Sequence, residues 1–215
     1  MIEKKYLKSQ YLDKKKSAKQ IAALLDCSEN KVNYWLDKHG IKKRSVSEAV
    51  YIKSNPTGDP FTFHRPETKE EWLLYGLGMG LWWGEGNKAS KTSVRIGNTD
   101  PELLKTFLRF LDVIFGIDKS RLRFGLQIFS DIDEDKAKKY WCRKLQISGK
   151  QFQKVIVSKP VAKGSYTKKS EYGVLTIYFS NTKLRDNIYR AIEVLRTEEH
   201  AILAQSVERI HGGSQ

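Results

Sequence analysis

Residues 68–88, TKEEWLLYGLGMGLWWGEGNK, constrain this chain more than any other stretch. Thr68 followed three residues later by Glu71 is a capping-box start, and Glu70 and Glu71 stand at the positive end of the helix dipole. Leu73, Leu74, Tyr75, Leu77, Met79, Leu81, Trp82 and Trp83 leave no polar face, which predicts a buried helix. The run falls short of the ~20 apolar residues of a membrane span. Gly76, Gly80 and Gly84 recur every four residues, and each costs about 1 kcal/mol against alanine in a helix interior. A stripe without side chains lets a second backbone approach, and an equivalent helix related by a two-fold axis is the expected partner. Gly84-Glu85-Gly86 then ends the helix and leaves a carboxylate at its negative end. A nearby cation is expected there, either a metal ion or Lys88.

Residues 78–86, GMGLWWGEG, resemble the nine-residue motif of the LAGLIDADG homing endonucleases. The longer wording YGLGMGLWWGEGNK is similar to bacterial LAGLIDADG-like proteins that also carry a helix-turn-helix. The resemblance implies that helix 68–86 forms a homodimer interface through Gly76, Gly80 and Gly84. It implies that Glu85 is the catalytic acid and binds Mg²⁺, with the Gly84 carbonyl as the neighbouring backbone ligand. Lys88 would help to position phosphate. A lysine from the later strands would assist, and Lys154, Lys159 and Lys163 are the candidates. The chemistry is reasonable for phosphodiester cleavage, which uses a metal to activate water and to stabilise the leaving oxygen. Mg²⁺ takes oxygen ligands and keeps several waters. One motif per chain supplies one Glu85, so two active sites require two chains.

The rest of the chain points towards a polyanionic partner. The 215 residues carry a formal net charge of +14, and double-stranded DNA is the expected ligand. The start, MIEKKYLKSQ, has no apolar run, so no signal peptide is expected. The two cysteines, Cys27 and Cys142, lie far apart and show no zinc spacing, which fits small core residues in a reducing compartment. A cytoplasmic, nucleoid-associated location and no membrane partner follow as expectations.

Residues 1–54 read as short helices. Ser17 caps AKQIAALLD, a tight link follows at residues 26–28, and a second helix runs over residues 29–39 to a stop at Gly40. Val32, Trp35 and Leu36 give its inner face at i, i+3 and i+4. With an earlier helix around residues 6–12, the pattern resembles a trihelical helix-turn-helix. The second helix would then enter the major groove with Asn30, Lys31, Asn33, Tyr34 and Lys38 outward. Lys42, Lys43 and Arg44 would contact phosphates. Residues 55–66 hold three of the five prolines and read as a linker.

From residue 91 strands and helices alternate. Strands are expected at 93–96, 121–129, 152–157 and 172–179, with helices at 101–115, 133–145 and 182–196. In the second strand Leu122, Phe124, Leu126 and Ile128 face one way, and Arg121, Arg123 and Gln127 the other. Arg95, Arg121, Arg123 and Gln127 are the candidates for base readout on a polar sheet face. Residues 150–169 contain six lysines and no acid. This basic loop, with Lys154, Lys163 and Lys168, suits a DNA backbone. Residues 198–215 are expected to form a modest helix fading into a tail.

The expected architecture is α+β: a helix-turn-helix domain at 1–54, a linker at 55–66, and a LAGLIDADG-like domain at 67–197. The latter would run α-ββ-α-ββ-α with an antiparallel saddle sheet. The expected function is that of a site-specific, Mg²⁺-dependent, homodimeric DNA endonuclease, and the alternative is a catalytically silent DNA-binding regulator. A glycine-rich dinucleotide loop is excluded, because Gly76-x-Gly78-x-Gly80 lies inside a helix and lacks a preceding strand.

Overall fold

The computed structural model describes residues 1–159 and 170–211, with side chains described as far as residue 197. The chain divides into two compact units, Met1–Pro60 and Phe61–Gln215.

In the first unit α1 (Lys4–Lys8) runs into a π turn at Ser9–Asp13, followed by α2 (Ala18–Leu24), α3 (Glu29–Lys38) and α4 (Val46–Ser54). Local chemistry sets these ends. Ser17 and Gln20 form a reciprocal capping box at the start of α2, and Ser28 Oγ accepts from the Lys31 N–H at 3.2 Å at the start of α3. Asp26 bends the link with φ 47°, and Gly40 ends α3 with φ 64°. Leu7, Ile21, Val32 and Leu36 are completely buried in one small core, with Trp35 packed at its edge. The three-helix expectation holds to that extent. α4 is an addition: none of its residues is buried, and a second capping box, Ser45 with Glu48, starts it.

The second unit begins inside the stretch expected to be linker. The Thr62 and His64 N–H groups donate to the carbonyls of Phe115 and Ile114 at 2.9 and 2.8 Å. Phe61 and Phe63 pack their rings on Phe115. Aromatic ring contacts and two backbone hydrogen bonds therefore tie residues 61–64 to the unit that follows.

That unit contains α5 (Lys69–Glu85), β1 (Val94–Asn98), α6 (Pro101–Phe115), β2 (Arg123–Phe129), α7 (Glu134–Leu145), β3 (Ile156–Ser158), β4 (Val174–Phe179) and α8 (Thr182–His211). Short-range capping sets the helix ends. Thr68 and Glu71 form the capping box of α5. Asp100 caps α6 with Pro101 in its first turn, and Gly116 ends it in the left-handed conformation at φ 56°. The inward residues of β2, Phe124, Leu126 and Ile128, are buried beneath α6 and α7 with Phe107, Leu111 and Trp141.

The topology departs from the expectations in several places. The strands do not come in consecutive pairs, because α5 and α6 are separated by β1 alone. The sheet order is β1-β4-β2-β3, and although β4 pairs antiparallel with β1 and β2, β3 pairs parallel with β2. The sheet is thus mixed rather than antiparallel. Phe152, expected to start the third strand, makes only an isolated bridge to Phe124. Finally, α8 runs without a break from Thr182 to His211, so the helix expected at 182–196 and the one expected from 198 are a single element.

α5 departs as well. It was expected to be buried all round, yet only Leu74, Gly78, Met79 and Trp82 are buried. Leu73 is 72% exposed, Leu77 49% and Trp83 47%. No helix among the described residues is long and apolar enough to cross a membrane.

Candidate nucleic-acid interface

The helices of the second unit cover one face of the sheet, and residues of the opposite parity point the other way. On that outer face β4 sets Tyr178 between Arg95 of β1 and Arg123 of β2, and Thr176 between Gly97 and Gly125. The Arg95 guanidinium lies 5.0 Å from the Tyr178 ring centroid. A β-carbon on Gly125 would stand 2.8 Å from that ring, and one on Gly97 would stand 2.7 Å from Thr176 Oγ1. Both glycines are needed for close packing, so a low row runs beside an arginine-tyrosine-arginine ridge. Gln127 lies further along β2 and donates from Nε2 to Ser158 Oγ at 3.3 Å. Arg123 folds back, donating from Nη1 to the Ser120 and Leu122 carbonyls at 3.1 and 3.0 Å. Arg121 lies in a 3₁₀ turn at Lys119–Arg121, ahead of the strand rather than in it.

The end of α5 meets this face at β1. Gly86 bridges to Ile96, and the Asn87 N–H donates to the Arg95 carbonyl at 2.9 Å. Asn87 Oδ1 accepts from the Ser90 N–H, Ser90 and Ser93 share a hydroxyl bond of 2.7 Å, and Arg95 Nε donates to Ser93 Oγ at 2.6 Å. A polar chain therefore links the turn after Glu85 to the arginine on the sheet. Sequence reading missed Tyr178, Thr176 and this serine turn, although the alternation of β4 (Leu175, Ile177 and Phe179 inward) would have shown the first two.

Glu85 is exposed and has no hydrogen-bond or ion-pair partner among the described residues. Lys88 does not pair with it. Its ammonium donates instead to the carbonyls of Trp83 and Gly84, the latter at 3.3 Å. A cation does stand at the negative end of the helix, as expected, and it is the lysine. Among the described residues no three His, Cys, Asp or Glu side chains cluster to hold a metal. The oxygen donors at this helix end, the Glu85 carboxylate and the Gly84 carbonyl, have the chemistry Mg²⁺ favours, but Lys88 already engages the carbonyl.

The glycines of α5 divide into two sets. Gly78 faces the core, whereas β-carbons on Gly76, Gly80 and Gly84 would meet nothing within 4 Å. The open stripe runs beside exposed Leu73, Leu77 and Trp83, while Trp82 turns inward against Tyr189.

The candidate lysines of the later strands lie elsewhere. Lys154 and Lys159 are exposed and flank β3. β3 is at the opposite edge of the sheet from β1, three strand spacings or roughly 14 Å across. One chain does not bring Lys159 beside its own Glu85. Lys163 and Lys168 lie outside the described residues.

In the first unit, Asn30, Lys31, Tyr34 and Lys38 are exposed on α3, and Asn33 is half-buried. The Lys38 ammonium lies near both the Tyr34 and Trp35 rings. Lys43 pairs with Asp37 at 2.7 Å, both partners exposed. Arg44, expected to touch phosphate, is bound inside the unit. Its guanidinium donates to the carbonyls of Lys15 at 2.8 Å, Tyr11 at 3.2 Å and Lys16, and stacks 4.1 Å from the Tyr11 ring centroid.

No protein-family model, no curated protein and no solved structure matches this chain.

Proposed function

We propose that the chain is a site-specific binder of double-stranded DNA and a homodimeric, Mg²⁺-dependent endonuclease of LAGLIDADG type. The carrying observation is α5: an unpartnered apolar face of Leu73, Leu77 and three open glycines leads to an exposed, unpaired Glu85. Exposed Leu and Trp along a side-chain-free stripe are what a second copy of the helix would cover. That pairing would bring two Glu85 carboxylates together, and each helix end adjoins a strand that carries Arg95 on the open sheet face. On this reading Glu85 and a backbone carbonyl of the helix end would hold Mg²⁺, whose Lewis acidity would favour ionisation of water for attack on phosphorus. Arg95, Arg123 and Gln127 read or hold the duplex, and α3 adds a second contact through Asn30, Lys31, Asn33, Tyr34 and Lys38 in a helix-turn-helix. Lys154 and Lys159, at the far sheet edge, contact phosphates. A high net positive charge supports the electrostatic part of binding.

One observation favours the second reading, a DNA-binding regulator without cleavage. The Lys88 ammonium occupies the carbonyls next to Glu85 where a metal would sit. The two readings separate in one experiment. Duplexes bound from a randomised pool are identified, and the selected sequence is then incubated with wild type or Glu85→Gln, in Mg²⁺ or in EDTA. Cleavage by wild type in Mg²⁺ alone, lost in Glu85→Gln while binding remains, supports the nuclease. Binding with no cleavage by wild type leaves the regulator, and no selected duplex removes both.

A further inference from the structure

A basic cleft of about 500 Å³ opens between α6, α7 and the 3₁₀ turn before β2. Lys105 and Arg109 of α6, Lys119 of the turn, and Arg143 and Lys144 at the end of α7 line it, against one acid, Asp112. It belongs to the helical layer, away from the ridge of Arg95, Tyr178 and Arg123.

The ordinary reason for cations at a helix C-terminus is the helix dipole, which accounts for Arg143 and Lys144. It does not account for Lys105 and Arg109, which sit within α6, or for Lys119 on another element. Local pairing absorbs little of this charge. Lys105 bonds exposed Glu102 at 2.7 Å, and Lys119 reaches the Leu145 carbonyl at 3.4 Å. Arg109 and Arg143 have no hydrogen-bond or ion-pair partner among the described residues. Two free guanidinium forks on facing elements suit phosphate oxygens, which they grip bidentately. The floor of the cleft is apolar, with buried Leu108 and Leu122. Its volume falls within the ~300–1,000 Å³ of small-molecule sites, larger than one phosphate needs.

We infer that this cleft binds a nucleoside di- or triphosphate, its phosphates held by Arg109 and Arg143 and its base or sugar resting on the apolar floor. The site is separate from the proposed DNA surface, and the inference stands whether or not the DNA reading does.

Calorimetric titration of the full chain with inorganic phosphate and with adenosine mono-, di- and triphosphate tests it. One site per chain is expected, with affinity rising from mono- to triphosphate. Arg109→Ala and Arg143→Ala should each weaken the triphosphate about tenfold or more, since a hydrogen bond to a charged group contributes ~1.5–3 kcal/mol. Arg109→Lys, which keeps the charge and loses the fork, should fall between, and Arg190→Ala on α8, an exposed residue that neither lines the cleft nor belongs to the proposed DNA surface, should leave nucleotide binding unchanged. Unaltered far-ultraviolet circular dichroism confirms that the variants are folded. The inference fails if no nucleotide binds, if inorganic phosphate binds as tightly as the triphosphate, or if neither alanine variant weakens binding. It fails equally if a DNA duplex displaces the nucleotide and depends on Arg109 and Arg143 to the same extent.

Discussion

The ring of Phe110 fills the space that a β-carbon on Gly78 would need, whereas two residues further on Gly80 faces open space. The glycines of one helix thus serve two purposes. Gly78 lets α6 approach α5, and the stripe of Gly76, Gly80 and Gly84 remains uncovered by its own chain.

Opposite effects on stability follow. Gly78→Ala should destabilise the second unit by about 1–3 kcal/mol through overpacking against Phe110. Gly80→Ala meets nothing and should stabilise the isolated chain by up to ~1 kcal/mol through helix propensity. Urea unfolding at low protein concentration compares them. On the proposed dimer, Gly80→Leu should also shift sedimentation towards the monomer without lowering monomer stability. Unchanged association in Gly80→Leu would remove α5 as the interface.

Arg44 offers a second test. It holds the carbonyls of residues 11, 15 and 16 while stacking on Tyr11. Arg44→Ala should cost the first unit about 2 kcal/mol, and Arg44→Lys should not restore it, because an ammonium cannot span several carbonyls as a fork. Hydrogen exchange at residues 10–16 reads the effect directly. DNA affinity with normal protection there would instead assign Arg44 to phosphate.

The start of α5 should be acid-sensitive. The N–H groups of Glu67 and Thr68 donate to the Glu71 carboxylate, and these bonds hold it below the usual carboxylate range. Because the folded value is the lower one, the stabilisation is complete above the unfolded value of about 4.3 and is lost as pH falls through the folded value. Amide exchange at residues 68–72 should therefore quicken on acidification below that range. Glu71→Gln should flatten this dependence, and an equally steep profile in that variant would contradict the assignment.

The sheet face can be tested by salt. If Arg95 contacts a phosphate, Arg95→Ala should weaken binding to all duplexes alike and reduce the slope of log affinity against log salt by about 1. If it reads a base, the loss should be about 1–3 kcal/mol and confined to one position of the selected site. Unaltered affinity and slope would take β1 out of the interface.

Much of the local structure was legible in the sequence. The caps at Ser17 and Thr68, the stop at Gly40, and the alternation of β2 all rest on contacts between residues a few positions apart. Their chemistry is written in neighbouring letters. The turn after Glu85 was not legible, since Ser90 and Ser93 read as loop residues until their hydroxyls meet each other and Arg95. Nor was the role of Arg44, whose acceptors lie 28 to 33 positions earlier. The resemblance of residues 78–86 carried an expectation of function, and its weight still rests on the experiments above.

By itself the sequence determined where most helices start and stop, which side of β2 turns inward, and that a glycine stripe runs along α5. Those are short-range matters of capping, dihedral preference and period. Only the tertiary structure decided that β3 joins parallel to β2 at the far edge, that α5 leaves Leu73, Leu77 and Trp83 exposed, and that Lys88 turns to helix carbonyls instead of Glu85. Such choices depend on which distant surfaces compete for the same face, edge or charge, and this competition is resolved only when the whole chain packs.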